Sequence, residues 1–194
     1  MHISVIRSNE QHADRWAGGL TTQLYIYPEH SRYAERDFVF RISTATVETE
    51  TSAFTSLPGI SRILMVLSGT MHITHEHHYS KTLHPMDTDI FDGGWKTSSS
   101  GKVTDFNLMT SAGATGILSS HTLETGELTV QATAGFTGYY IASGSVVIDC
   151  NGINTHLYER DFLIMRADIP VQVTMNTESN ATVVCCSVKV SDVP

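Results

Sequence analysis

Short runs rich in β-branched and aromatic residues, many of them alternating between apolar and polar positions, recur along this chain of 194 residues. A period of two places successive side chains on opposite faces of a strand. Such runs are "QLYIYP" (23–28), "DFVFRISTATVET" (37–49) and "RILMVLSGTMHITHEHH" (62–78). The second half adds "GYYIASGSVVID" (138–149), "DFLIMRA" (161–167), "VQVTM" (171–175) and "ATVVCCSVKV" (181–190). Most are bounded by turn dipeptides: Pro58-Gly59, Ser68-Gly69, Ser143-Gly144 and Asn151-Gly152. This spacing predicts an all-β sandwich or barrel. The stretch "NEQHADRWAGG" predicts one short helical turn at most.

The pattern repeats. "ILMVLSGTMHI" (63–73) and "GYYIASGSVVI" (138–148) align without gaps, each an apolar strand that meets Ser-Gly and leaves as another apolar strand. Each is followed by an aspartate in a second turn-like stretch, Asp87 in "HPMDTDIF" and Asp161 in "YERDFLIM". A duplicated strand unit implies two similar half-barrels. The expected halves are residues 1–115 and 116–194.

Composition narrows the function. The formal net charge is −8, which disfavours phosphate backbones and anionic membranes as partners. No apolar run reaches the roughly 20 residues of a membrane span, and the N-terminus lacks the apolar core of a signal peptide. Cys150, Cys185 and Cys186 are too few, and odd in number, for a disulfide framework. They read as reduced thiols, so the expected location is cytoplasmic.

Four motifs carry a family resemblance over about residues 14–188: "RWAGGLTTQLYIYPE" (15–29), "DFVFRISTATVE" (37–48), "FTSLPGISRILMVLSG" (54–69) and "DFNLMT" (105–110). In this order and at about these spacings they resemble the HutD/Ves family. The resemblance implies a bicupin, two cupin-like jelly-roll barrels in one chain. It also implies a cytosolic accessory protein of histidine catabolism that senses or buffers an intermediate, with no established enzymatic activity. The chain departs from the family pattern at Gln23 and Leu24, where Arg and Glu are usual, at Ser61 in place of Asp, and at Ser52 or Ala53 in place of Gly.

Metal-dependent cupins place two histidines, a glutamate and a third histidine inside the barrel, leaving open coordination positions. "GTMHITHEHHYS" (69–80) is the tempting place to look, with His72, His75, His77 and His78. With Gly69 as the first motif glycine, His75 and His77 fit, but Lys81 or Thr82 occupies the glutamate position. With Gly69 as the last glycine, the glutamate position is Arg62 and the histidine positions fall within Thr55, Ser56, Leu57 and Pro58. In the second repeat Thr137 stands at the glutamate position and Val171 at that of the third histidine. No cofactor or metal is therefore expected. The four histidines read as a solvated hairpin, with His75 and His77 on one strand face and His72 on the other.

A metal-free barrel needs another ligand chemistry. Arg62 is expected to point into the cavity, paired either with a ligand carboxylate or with a protein acid such as Asp105. Alternation puts Arg41 and Ser43 on one face, either a polar cavity or solvent. The two glycines of "WAGGLTT" let a backbone approach an anion, with Thr21 adding a hydroxyl, or simply form a tight turn. Asp105 and Asn107 share a face and can read an amine or amide, or cap a loop. Trp16 is a core or cavity residue, and Trp95, in a glycine- and serine-rich loop, reads as a lid. The expected function is binding of a small anion, such as N-formylglutamate or urocanate, by Arg62, Arg41, Ser43, Thr21, Asp105, Asn107 and Trp16. A homodimer is compatible with the sequence. The alternatives are an isomerase, lyase or metal-dependent dioxygenase using the same pocket, or a closed structural barrel.

Overall fold

A computed structural model describes residues 1–191. In chain order its strands are β1 (His2–Ile6), β2 (Ala13–Trp16), β3 (Gly19–Tyr27), β4 (Phe40–Val47), β5 (Thr51–Ala53), β6 (Ser61–Gly69), β7 (Met71–His75), β8 (Tyr79–Leu83), β9 (Thr88–Asp92) and β10 (Thr97–Ser100). They continue as β11 (Val103–Thr110), β12 (Ala114–Leu123), β13 (Gly126–Ala132), β14 (Gly135–Ser143), β15 (Ser145–Cys150), β16 (Ile153–Tyr158), β17 (Phe162–Ala167), β18 (Val171–Thr177) and β19 (Ala181–Val190). One 3-10 turn, Ser8–Glu10, lies where the sequence predicts a helical turn. Every segment singled out from its apolar pattern contains strand; 62–78 and 138–149 each hold two, joined at Gly69 and Gly144, and 37–39 precede β4. The strands that patterning did not single out are mostly polar, such as "TSSS" in β10 and "YSKTL" in β8. Neighbouring strands hold these in place rather than their own hydrophobicity.

The chain divides into two compact units. The N-terminal unit, His12–Gly116, has sheets ordered β2-β3-β4-β11-β6-β9 and β5-β10-β7-β8. Its apolar interior is built from Val47, Leu64, Val66, Met71, Ile73, Leu83, Phe91 and Val103. The C-terminal unit has sheets ordered β1-β17-β14-β19-β12 and β13-β18-β15-β16 around its own core. It comprises residues 117–190 together with Met1–Gln11. The division falls between Gly116 and Ile117, and the first eleven residues belong with the second unit. β1 is the reason: it pairs along its whole length with β17, from His2 opposite Arg166 to Ile6 opposite Phe162. Residues 192–194 of the expected C-terminal half lie outside the described residues.

The repeat read from sequence is exact in its hydrogen bonding. In the first unit the Met86 N–H donates to the Val66 carbonyl (2.7 Å), the Asp87 N–H to that of His84 (2.9 Å) and the Val66 N–H to that of Asp87 (3.1 Å). In the second, Arg160 donates to Ile141 (2.7 Å), Asp161 to Tyr158 (2.9 Å) and Ile141 to Asp161 (3.1 Å). Met86 and Arg160 share a positive φ of 70°. Gly69 and Gly144 also match, at φ 84° and 78°, and a Cβ at either would strike a backbone carbonyl, of Lys102 or Asn180.

The two aspartates differ in load. The Asp87 carboxylate accepts the His84 N–H at the surface. Asp161 is buried and accepts the N–H groups of Ser8 and Tyr158 and the Arg7 guanidinium, so it fastens the N-terminal segment to its unit. Asp161→Ala is expected to cost about 2–3 kcal/mol in urea unfolding and Asp87→Ala about 1 kcal/mol or less. Equal costs would contradict this assignment.

Candidate functional site

The interior of the N-terminal barrel is apolar at one end and polar at the other. On β6 the inward residues are Arg62, Leu64 and Val66; on β11 they are Val103, Asp105, Asn107 and Met109; on β4 they are Arg41, Ser43, Ala45 and Val47. Leu64, Val66 and Val103 close one end. The others open into a cavity of about 250 Å³. All seven residues singled out from sequence line it: Trp16, Thr21, Arg41, Ser43, Arg62, Asp105 and Asn107. The face of β4 carrying Arg41 and Ser43, open between cavity and solvent from sequence alone, is the cavity face. The opposite face is buried too, with Phe40 stacked on Tyr27 and tilted against Tyr25.

Arg62 is 6% exposed. Its Nη2 donates to Asn107 Oδ1 at 2.8 Å, and the Asn107 amide donates on to Asp105 Oδ1. The direct Arg62–Asp105 salt bridge weighed from sequence is absent among the described residues. Register explains this: Arg62 lies opposite Met109 and Asp105 opposite Val66, with the Asn107–Leu64 pair between. Asn107 is the diagonal neighbour that Arg62 reaches first. Phe54 and Phe91 present their rings to the guanidinium, 4.9 and 5.3 Å from its carbon. Burial draws Arg62 down to about 10, partly offset by the Asp105 charge. Burial pushes the Asp105 carboxyl up to about 7, against the pull of Arg62 and of its bond from Asn107.

Arg41 is also buried, and its hydrogen bonds go to neutral groups, Gln23 Oε1 (2.9 Å) and Ser43 Oγ (3.1 Å). Tyr33 covers it, 4.4 Å from ring centre to guanidinium carbon. Burial lowers its pKa, opposed by Tyr33 and by Asp14 at the mouth. Among the described residues three buried side-chain polar atoms have no protein partner; Arg62 Nε and Trp16 Nε1 belong to residues that line the cavity, and the third, Thr137 Oγ1, is in the C-terminal unit. Such atoms are rare because an unpaired buried donor costs about 1–3 kcal/mol.

Of the two readings of "WAGG", the structure supports the tight turn, between β2 and β3. A Cβ on Gly18 would enter the Trp16 ring, and one on Gly19 would strike the Thr46 carbonyl. Trp95 is no lid. It stacks on His78 (centroids 3.8 Å) and does not line the cavity.

The histidine hairpin is only partly solvated. His72, His77 and His78 are exposed, but His75 is 1% exposed at the end of β7, bonded to Thr97 Oγ1 (2.8 Å) and Asp89 Oδ2 (2.9 Å). His75 and His77 share no strand face, because β7 ends at His75 and His77 occupies the turn at φ 66°. Sequence reasoning also missed Tyr33 and Phe54, which no titratable motif marks. It named Gln23 only as a departure, although Gln23 holds Arg41.

Among the described residues, no group of three or more His, Cys, Asp or Glu side chains is placed to hold a metal ion. Arg62 sits at the carboxylate position of the cupin metal motif and would repel a cation. The three thiols are free, and burial raises Cys185 to about 12. No helix among the described residues is long and apolar enough to cross a membrane.

A family model described as HutD matches residues 8–184. The chain belongs to the HutD family. Among solved structures it is similar to a conserved protein of unknown function from Pseudomonas aeruginosa PAO1, with TM-score 0.87, 22% identity, and coverage of 97% of this chain and 100% of that one. HutD from Pseudomonas fluorescens SBW25 gives TM-score 0.74 and 20% identity over 97% of this chain and 100% of that chain. The bacterial pirin YhhW from Escherichia coli, in complex with nickel(II), gives TM-score 0.69 and 12% identity over 96% and 98% of the two chains. These likenesses establish the cupin fold, with two cupin-like units in one chain. No curated protein matches the sequence.

Proposed function

We propose that this HutD-family protein binds a small organic carboxylate in its N-terminal barrel. One observation carries the reading: two buried guanidinium groups have only neutral hydrogen-bond partners, and Arg62 Nε, together with Trp16 Nε1, has none. A carboxylate entering the cavity satisfies an orphaned donor and compensates a desolvated charge in one step. Apolar walls from Phe54, Met109 and Val47 strengthen those few polar contacts by excluding water. Family membership supports a role as an accessory protein that senses or buffers an intermediate of histidine breakdown, such as N-formylglutamate or urocanate.

Calorimetric titration with N-formylglutamate, urocanate and glutamate tests this. Saturable binding of at least one, at one site per chain, is expected. Heat-silent mixtures at millimolar concentration, with no shift of Trp16 fluorescence, would overturn the proposal. A second reading, an isomerase or lyase, has one observation in its favour. A cavity carboxyl brought to about 7, as Asp105 is, suits general acid–base work. Proton NMR of the same mixtures separates the two, and an unchanged ligand spectrum is expected for a binding protein.

A further inference from the structure

The charges inside the cavity restrict the ligand further, given the carboxylate reading above. Arg41 and Arg62 come from different strands, β4 and β6, on either side of β11. Neither is within ion-pair distance of an acid among the described residues; Arg41 is held by Gln23 and Ser43, and Arg62 by Asn107. A monoanion takes one of them and leaves the other to be balanced only by an ionised Asp105, whereas a dianion meets both once Asp105 is neutral.

The surroundings of Asp105 decide the rest. It is 2% exposed. Arg62 from β6 acts on it directly, and the other charged and titratable groups lining the same cavity are Arg41 from β4, Tyr33 from the segment between β3 and β4, and Asp14 and Arg15 from β2 at the mouth. Arg15 is already paired with Glu48 at 3.0 Å, and Asp14 is exposed to solvent. The facing strand β5 offers only Ser52 and Ala53 to the cavity, and His75 lies beyond the Phe91 ring. Asp105 therefore shares the desolvated interior with two cations and no other acid. Any anion that takes those cations becomes its like-charged neighbour.

We propose that the cavity takes a dianion, one carboxylate to each guanidinium, and that Asp105 takes up a proton as the dianion enters. The balance is simple. The ligand arrives as a dicarboxylate, one proton comes from solvent to an Asp105 carboxylate oxygen, and no covalent bond of the ligand changes. Two arginines then face two ligand carboxylates, and the neutral Asp105 hydroxyl becomes a hydrogen-bond donor. Burial has already brought the free carboxyl up to about 7, toward that state. A second anion nearby pushes it the rest of the way.

The test uses the intact protein with glutarate as the dicarboxylate and butyrate as the monocarboxylate. Titrations at pH 7 and 8, each in two buffers of different ionisation enthalpy, give the number of protons taken up per ligand bound. Glutarate is expected to bind at least tenfold more tightly than butyrate, to take up a fraction of a proton at pH 7 and close to one at pH 8, and to lose up to about tenfold in affinity per pH unit above 7. Asp105→Asn, nearly isosteric, is expected to bind glutarate with no proton uptake and no dependence on pH. Butyrate binding as tightly as glutarate would overturn the dianion. Glutarate binding with no buffer-dependent heat, or uptake retained in Asp105→Asn, would overturn the role of Asp105 and leave carboxylate binding standing. Failure of every carboxylate to bind would overturn both readings.

Discussion

Arg62→Met separates binding from folding. The variant is expected to lose carboxylate affinity by about 30-fold to 1,000-fold, on the order of 2–4 kcal/mol, because a charge-assisted contact in a desolvated site is removed. The same change is expected to leave the urea midpoint unchanged or to raise it. Arg62 is buried with its Nε unpaired, and a buried charge replaced by an apolar side chain of similar length is often neutral or stabilising. A methionine keeps the contacts with Phe54 and Phe91 as sulfur–aromatic ones. The losses are the donor to Asn107 Oδ1 and the charge that offsets Asp105, and the Asp105 carboxyl is expected to rise further and stay protonated in the variant. A residue that serves a ligand at a cost to stability is what a binding site predicts. A residue that serves only the fold predicts the reverse, so a large drop in stability with unaltered affinity would defeat the anchor role.

His75→Ala has the largest expected effect on stability. It removes a fully buried ring that touches Phe91, Tyr79 and Trp95, and it strips partners from Thr97 and from the buried Asp89. Asp89 keeps Tyr79 and Lys81. The expected loss is about 3–4 kcal/mol, combining a cavity term with unpaired polar groups. His72→Ala and His77→Ala, on exposed positions, are expected within about 0.5 kcal/mol. Chemical denaturation of the three variants decides it, and a His75→Ala cost no larger than that of His77→Ala would refute the structural role. Phe91 also links this cluster to the site, since its ring contacts both His75 and Arg62. Part of the affinity is therefore expected to fall with His75→Ala even though His75 does not line the cavity.

Much of the fold is legible in the sequence because burial leaves a signal of period two. "FRISTATV" could be sorted into faces residue by residue, and the sorting holds within β4; Phe38, sorted with Phe40, precedes the strand and packs with Ile26 and Met109, which lie opposite Arg41. The repeat holds too, down to Asp87 and Asp161 three residues after His84 and Tyr158. β8 and β10 were not legible. They are polar, and they form because β7 presents unpaired backbone groups on both of its edges. The pairing of β1 with β17 was hidden for another reason. It joins the first strand to one far along the sequence, and nothing local in "HISVI" says which edge it will fill.

The candidate site divides in the same way. Sequence alone determined which side chains could meet: alternation gave each strand an inward face, and the glycine register brought Arg62 to a position where metal-binding cupins carry an acid. It could not determine the partners. Only the tertiary structure decided that Asn107 stands between Arg62 and Asp105, that Gln23 and not an acid holds Arg41, and that His75 belongs to the interior while His77 belongs to solvent. The physical reason is that inward direction is a local property of the backbone, set every second residue. Pairing is a property of register between strands, and burial is a property of the closed barrel.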